Sequence, residues 1–166
     1  GVEFLFKKNK IDWIKGSARL LGNGKIEVTG EAATTLTAKE IIIATGSSPR
    51  SVLGIDVDKQ HIITSDQAIH LPAVPKSMAI MGSGAVGVEV ASIFRRFGAE
   101  ITVIELLPRL VPNEDEAVSV ELAKAFKKRG IVAKVGTKVT SAKVKNGQVV
   151  IEMSAAGATE SLTVDL

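Results

Sequence analysis

The chain has 166 residues, 45% of them apolar and 23% charged, with a formal net charge of +3; this balance is ordinary for a globular chain and argues against disorder. It has no cysteine and two histidines, His61 and His70, which excludes disulfide staples, thiolate zinc sites and dithiol chemistry within these residues, and no metal site is expected. No apolar run reaches the roughly 18–20 residues that span a bilayer, and the basic residues are scattered with one Trp and no Tyr for base stacking, so neither a membrane nor nucleic acid is an expected partner.

The first readable elements are β-strands. "GSARLLG" (16–22) and "KIEVTG" (25–30) flank Asn23–Gly24, a pair that tolerates the positive φ angles of a tight hairpin turn. "TTLTAKEIIIATGSSP" continues strand-rich into the apolar block Ile41–Ala44. That block lacks polar alternation and predicts a strand buried on both faces of a parallel sheet, with Thr45, Gly46 and Ser47 just beyond its carboxyl end. Pro49, Pro72 and Pro75 punctuate a connector over 51–75. Within it "TSDQAIHL" (64–71) predicts one short helix capped by Ser65 or Asp66.

From Lys76 the pattern is regular. "SMAIM" predicts a short buried strand, and residues 85–97 a helix with the apolar stripe Val86, Val90, Ile93, Phe94 and Phe97, ended by Gly98. "ITVIE" (101–105) is the next strand. A second helix carries Asp115 and Glu116 in its first turn, Val118, Leu122, Ala125 and Phe126 on one face, and Gly130 after its last turn. "IVAKV" is a third strand, "KVTSAKVKNGQVVIEMS" a hairpin turning at Asn146–Gly147, and "ESLTVDL" one more strand. The β-α-β-α-β order predicts an α/β fold with a Rossmann-type parallel sheet wound by helices, extended by a β-hairpin meander.

"MGSGAVGVEV" (81–90) sits between the first strand and first helix of that unit. Gly82 permits the tight turn, Gly84 lets backbone approach a pyrophosphate, and Gly87 lets helix and strand pack closely. Unpaired amides at the positive helix end would meet the phosphates. Glu105 ends the following strand, 23 residues after Gly82, near the expected separation of about 20. A carboxylate there accepts both hydroxyls of an adenosine ribose and repels a 2′-phosphate, so NAD(H) is preferred over NADP(H). Arg109, four residues on, weighs the other way. Glu89 reads equally as a cofactor contact or as an acidic residue favoured near a helix N-terminus.

Taken together, "IIIATGSSP" and "ITSDQAIHLPAVPKSMAIMGSGAVGVEVASIFRRFGAEITVIELLPRLVP" resemble the two-dinucleotide flavoprotein disulfide reductases, and within them the branch that oxidises dihydrolipoamide. The resemblance covers nearly the whole chain. It implies an FAD domain, an NAD domain and a dimer-forming domain, with electrons passing from a dithiol through a redox disulfide and FAD to NAD. It also implies that Gly82, Ser83, Gly84, Ala85, Val86, Gly87 and Glu89 line the NAD site, that Glu105 binds the ribose, and that Val139 lies near the adenine. Thr45, Gly46 and Ser47 would touch FAD, and Ala18 would present backbone to its adenine. The expected domains are a partial, β-rich FAD-binding domain over 1–50, the connector over 51–75, and an NAD-binding domain over 76–166 lacking its last strand.

The resemblance places the first flavin glycine loop and the cysteine pair before Gly1, and the catalytic His–Glu pair and dimer interface after Leu166. No catalytic residue is therefore expected in this chain, and neither histidine matches a catalytic position. The chain reads as an internal fragment of an enzyme that the resemblance implies is a homodimer and receives electrons from a lipoyl-bearing protein; a cytoplasmic location is expected from the family likeness and from the lack of a visible export signal. The fragment itself is expected to bind NAD(H) at most. A related NADH oxidase or mercuric reductase, and a stand-alone NADH-sensing module, remain alternatives.

Overall fold

A computed structural model describes residues 1–30, 33–50 and 52–166; Ser51, the first residue of the expected connector, lies outside them. Two compact units result, Gly1–Ser47 and Ser48–Leu166.

The first unit opens with a short helix, α1 (Val2–Lys8), which the sequence reading does not include. It buries no residue, so no apolar stripe betrays it. β1 (Ser17–Gly22), β2 (Lys25–Thr29) and β3 (Thr34–Thr37) then form an antiparallel sheet. The β1–β2 turn falls on Asn23 and Gly24, with φ of 51° and 72°, the left-handed pair that matches the strand twist. Val28 is the one buried apolar side chain of this unit among the described residues.

Ile41–Ala44 departs from expectation. It is irregular, and Ile42 is 91% exposed. A strand buried on both faces needs a partner along each edge, and no described strand pairs with this segment; hydrophobicity alone does not satisfy its backbone.

The second unit is a layered α/β structure. α2 (Ser65–Ala68) is capped by Thr64 rather than Ser65 or Asp66. The Thr64 hydroxyl accepts the Asp66 N–H, while Gln67 Oε1 accepts the Thr64 N–H at 3.0 Å, so the reciprocal box starts one residue earlier than expected. β4 (Ser77–Met81), β5 (Glu100–Ile104) and β6 (Val132–Lys134) form a parallel sheet in that order. α3 (Ala85–Arg96) and α4 (Glu116–Lys128) make the two crossovers. β7 (Lys138–Lys145), β8 (Gln148–Ala155) and β9 (Ala158–Val164) form an antiparallel meander. Its turns use Asn146–Gly147 and Ala156–Gly157, all four at positive φ.

Alternation along the central strands builds two cores. Met78, Ile101 and Val103 face Ala91, Phe94 and Phe126, whereas Ile104 and Ala79 face Val149, Ile151, Met153 and Val164 of the meander. Ala68, Ile63 and Leu71 join the first core, so α2 and its flanks pack within this unit.

The helix faces differ from the expected stripes. On α3 the buried residues are Ala91 and Phe94, while Val86, Ile93 and Phe97 are about half exposed or more. Gly87 and Ala91 are small enough to bring the helix close to the sheet, so the packed face follows Gly87, Ala91 and Phe94, and bulk alone is a poor guide to it. On α4 the buried residues are Ser119 and Phe126, with Val118 and Ala125 exposed; Ser119 buries its polar group by donating to the Leu110 carbonyl. Among the described residues no helix is long and apolar enough to cross a membrane.

Candidate functional site

β4 delivers the chain to the glycine loop and α3 carries it away. Gly82 has a φ of +98°, a conformation side chains rarely adopt. Its N–H donates to the Ile104 carbonyl at 2.8 Å, pinning the turn to the end of β5. Gly84 is the N-cap of α3, which has no side-chain cap, and a Cβ built on it would meet no atom within 4 Å. Gly87 is the opposite case: a Cβ there would run into the Gly82 carbonyl oxygen and lie 3.5 Å from Ile80 Cγ2. One glycine therefore leaves space and the other fills it. Gly84, Ala85 and Val86 are exposed, so the positive end of α3 opens to solvent.

Ser83 and Glu105 meet beneath the loop. Ser83 is fully buried and Glu105 is 8% exposed. Glu105 Oε2 accepts both the Ser83 N–H and the Ser83 hydroxyl at 2.8 Å, and Oε1 accepts the Leu107 N–H at 2.9 Å. Burial pushes the Glu105 pKa up, but the bonds from Leu107 and Ser83 outweigh it and hold the carboxyl below its ordinary value. The Leu106 amide adds a further, weaker pull in the same direction, and of the two oxygens Oε1 takes the fewer short hydrogen bonds.

Backbone bonds fix this pair to its surroundings. Glu105 N–H donates to the Lys134 carbonyl at 2.8 Å, and its carbonyl accepts the Thr137 N–H at 2.9 Å. The Ser83 carbonyl accepts the Val111 N–H at 3.1 Å, so the loop after Glu105 returns to brace the glycine turn. Arg109 is engaged in that returning loop: Nη2 donates to the carbonyls of Pro112 and Glu114, each at 3.0 Å. Sequence reasoning singled out Ser83 for the loop and Glu105 for the strand end. It missed their direct bond and the braces from Leu107 and Val111, for which backbone donors leave no signature in side-chain identity.

The other expected residues are distributed as follows. Val139, half-buried, packs in the cluster of Ile104 and Met153 two residues beyond Thr137. Glu89 is exposed and lines a groove of about 380 Å³ with Val88, Ser92, Leu122, Phe126 and Arg129. This concavity lies between α3 and α4 and excludes the glycine loop, which presents open backbone instead of a cavity. His61 stands 3.7 Å from the Asp58 carboxylate. Ala18, in β1, and Thr45, Gly46 and Ser47, in the irregular segment that ends the first unit, are exposed.

A parallel β-α-β unit with a glycine turn at its strand–helix junction and an acidic strand end is the Rossmann-type arrangement of dinucleotide-binding proteins. A family model described as pyridine nucleotide-disulphide oxidoreductase matches residues 1–166. The chain belongs to this family of oxidoreductases. It is 47% identical to dihydrolipoyl dehydrogenase 3 of Pseudomonas putida over 99% of its own length and 36% of the relative's. It is 42% identical to dihydrolipoyl dehydrogenase 3 of Pseudomonas aeruginosa, again over 99% of this chain and 36% of the relative. In fold it is similar to the crystal structure of LpdA from Mycobacterium tuberculosis, with a TM-score of 0.77 at 23% identity, covering 99% of this chain and 37% of that one. The chain thus spans about 36% of the length of the curated relatives it matches.

Proposed function

We propose that these residues are the nicotinamide-dinucleotide-binding part of an FAD- and NAD-dependent oxidoreductase that oxidises dihydrolipoamide-type dithiols. The carrying observation is the contrast within the glycine loop. Backbone at Gly84 stands clear of every side chain while α3 directs its uncapped amino end to the same place. That combination suits a pyrophosphate, whose oxygens need close backbone approach and N–H donors.

Glu105 then faces the adenosine ribose. Held ionised by its donors, it accepts one ribose hydroxyl through Oε1 and repels a 2′-phosphate, while Arg109 is tethered to its own loop through Nη2. Gly82 to Gly87 hold the pyrophosphate, Glu89 borders the site, and Val139 lies toward the adenine. In the first unit, Ala18 and Thr45 to Ser47 are exposed; they are proposed as edge contributions to an FAD site shared with further parts of a protein as long as the relatives. FAD, when bound, supplies the two-electron exchange between dithiol and nicotinamide. This chain's own residues bind and orient the nicotinamide dinucleotide. The lipoyl-bearing partner, the homodimer and a cytoplasmic location are proposed on the same family likeness.

Titrating the 166-residue chain with NADH and NADPH, read by the dinucleotide's own fluorescence, tests the binding half. Saturable NADH binding that exceeds NADPH binding is expected; no NADH binding by the folded chain refutes it. Reduction of NAD by dihydrolipoamide, assayed in the full-length flavoprotein, tests the activity.

A further inference from the structure

We propose that Ser83 is a positioning residue for dinucleotide selection, holding Glu105 through Oε2 so that Oε1, the oxygen it leaves alone, meets a ribose hydroxyl. This rests on the NAD-binding reading above and goes beyond it, because it gives the buried Ser83 hydroxyl a role apart from the loop backbone that meets the pyrophosphate.

Three observations carry it. The Ser83 hydroxyl is fully buried, and the hydrogen bond it donates goes to Glu105 Oε2. The turn does not need that hydroxyl, since the Ser83 N–H already reaches the same oxygen at 2.8 Å. Glu105 Oε2 thus takes two donors and Oε1 takes one. This asymmetry makes Oε1 the oxygen more open to a ligand. A carboxylate on a flexible side chain otherwise samples several rotamers, and each lost donor frees it to do so. The Ser83 carbonyl is braced by Val111 N–H, so the donor itself cannot drift. The lowered Glu105 pKa agrees, because a carboxylate that stays ionised rejects a 2′-phosphate over a wider pH range.

The consequence is a separation of roles along three consecutive residues. Gly82 shapes the turn, Gly84 admits the pyrophosphate, and Ser83 between them reaches inward to set the residue that reads the ribose. Phosphate binding and ribose reading are then mechanically joined through one serine.

The test uses Ser83→Ala and Ser83→Gly in the 166-residue chain, each checked for fold by circular dichroism, with NADH and NADPH affinities measured side by side. Loss of one charge-assisted hydrogen bond should weaken NADH binding by about tenfold and leave NADPH binding within about twofold, so the NADH preference collapses. In a Glu105→Gln background, adding Ser83→Ala should change neither affinity further. An unchanged NADH-to-NADPH ratio in folded Ser83→Ala, beside a wild type that binds NADH, overturns the role of Ser83 and leaves the site reading standing. Equal weakening of both dinucleotides, or failure of both variants to fold, makes Ser83 a support of the loop alone and also overturns it. A wild-type chain that binds neither dinucleotide removes the site reading, and this inference with it.

Discussion

Adding a single methyl at Gly84 or at Gly87 should produce opposite failures. At Gly84 the new Cβ meets nothing within 4 Å, and the backbone φ of −66° suits alanine. The cost to folding is the loss of a favourable N-cap, below about 1 kcal/mol. The same methyl occupies the space assigned to the pyrophosphate; crowding a ligand held by fixed amides costs about 1–3 kcal/mol, so NADH binding should fall about fivefold to 150-fold. At Gly87 the obstruction is a backbone carbonyl oxygen, that of Gly82, which cannot rotate away as a side chain would. Overpacking of that kind costs about 3 kcal/mol, offset by about 1 kcal/mol for alanine over glycine in a helix. The net of about 2 kcal/mol should lower the melting temperature by roughly 5–10 °C. Thermal melts by circular dichroism and NADH titration, run on both variants, read the two effects separately. Gly87→Ala melting at or above wild type, or folded Gly84→Ala binding NADH unchanged, refutes the assignment of roles.

Two further predictions address the fold around the site. Phe94→Ala, at a side chain 8% exposed, should cost about 3–5 kcal/mol in urea unfolding, whereas Phe97→Ala, 64% exposed and in edge contact with Phe94, should cost about 1 kcal/mol; equal losses would contradict the observed face of α3. Because the folded pKa of Glu105 is lowered, its ionised form contributes stability that is fully present above the unfolded glutamate value of about 4.3 and is lost as pH falls through the lower folded value. The stability gap between wild type and Glu105→Gln should therefore be widest at neutral pH and narrow below about pH 4; a gap independent of pH would show that the carboxylate's charge plays no part.

The sequence discloses the second unit better than the first, for a physical reason. Strand–helix alternation, the glycine spacing and Glu105 are local patterns, and the three parallel strands pair with one another within these residues. Asn23–Gly24 and Asn146–Gly147 are legible for the same reason, since the positive φ angles belong to the residues themselves. Ile41–Ala44 is not, because a buried strand depends on partners that its own composition cannot supply. On α3 and α4 the expected Val90, Phe94, Leu122 and Phe126 do pack in the core, whereas Val86, Ile93, Phe97 and Val118 are exposed and Ala91 and Ser119 are buried instead, because close approach to the sheet favours small side chains. Thr64 is legible as a cap only when it is read together with its partner, Gln67.

Glu105 shows why a site can be located from sequence while its working remains hidden. Its place at a strand end follows from apolar alternation and from its distance to Gly82. Its state follows chiefly from three short hydrogen bonds, two from Ser83 and one from Leu107, with a further pull from the Leu106 amide; only one of these donors is a side chain. Those donors belong to the glycine turn and to the loop braced by Val111, so the residue proposed to read the ribose is held by the same structure proposed to admit the phosphates. A substitution anywhere in this set is expected to alter both stability and selection. Comparing dinucleotides that differ only at the ribose separates the two, since under the proposal the difference between them falls on Glu105.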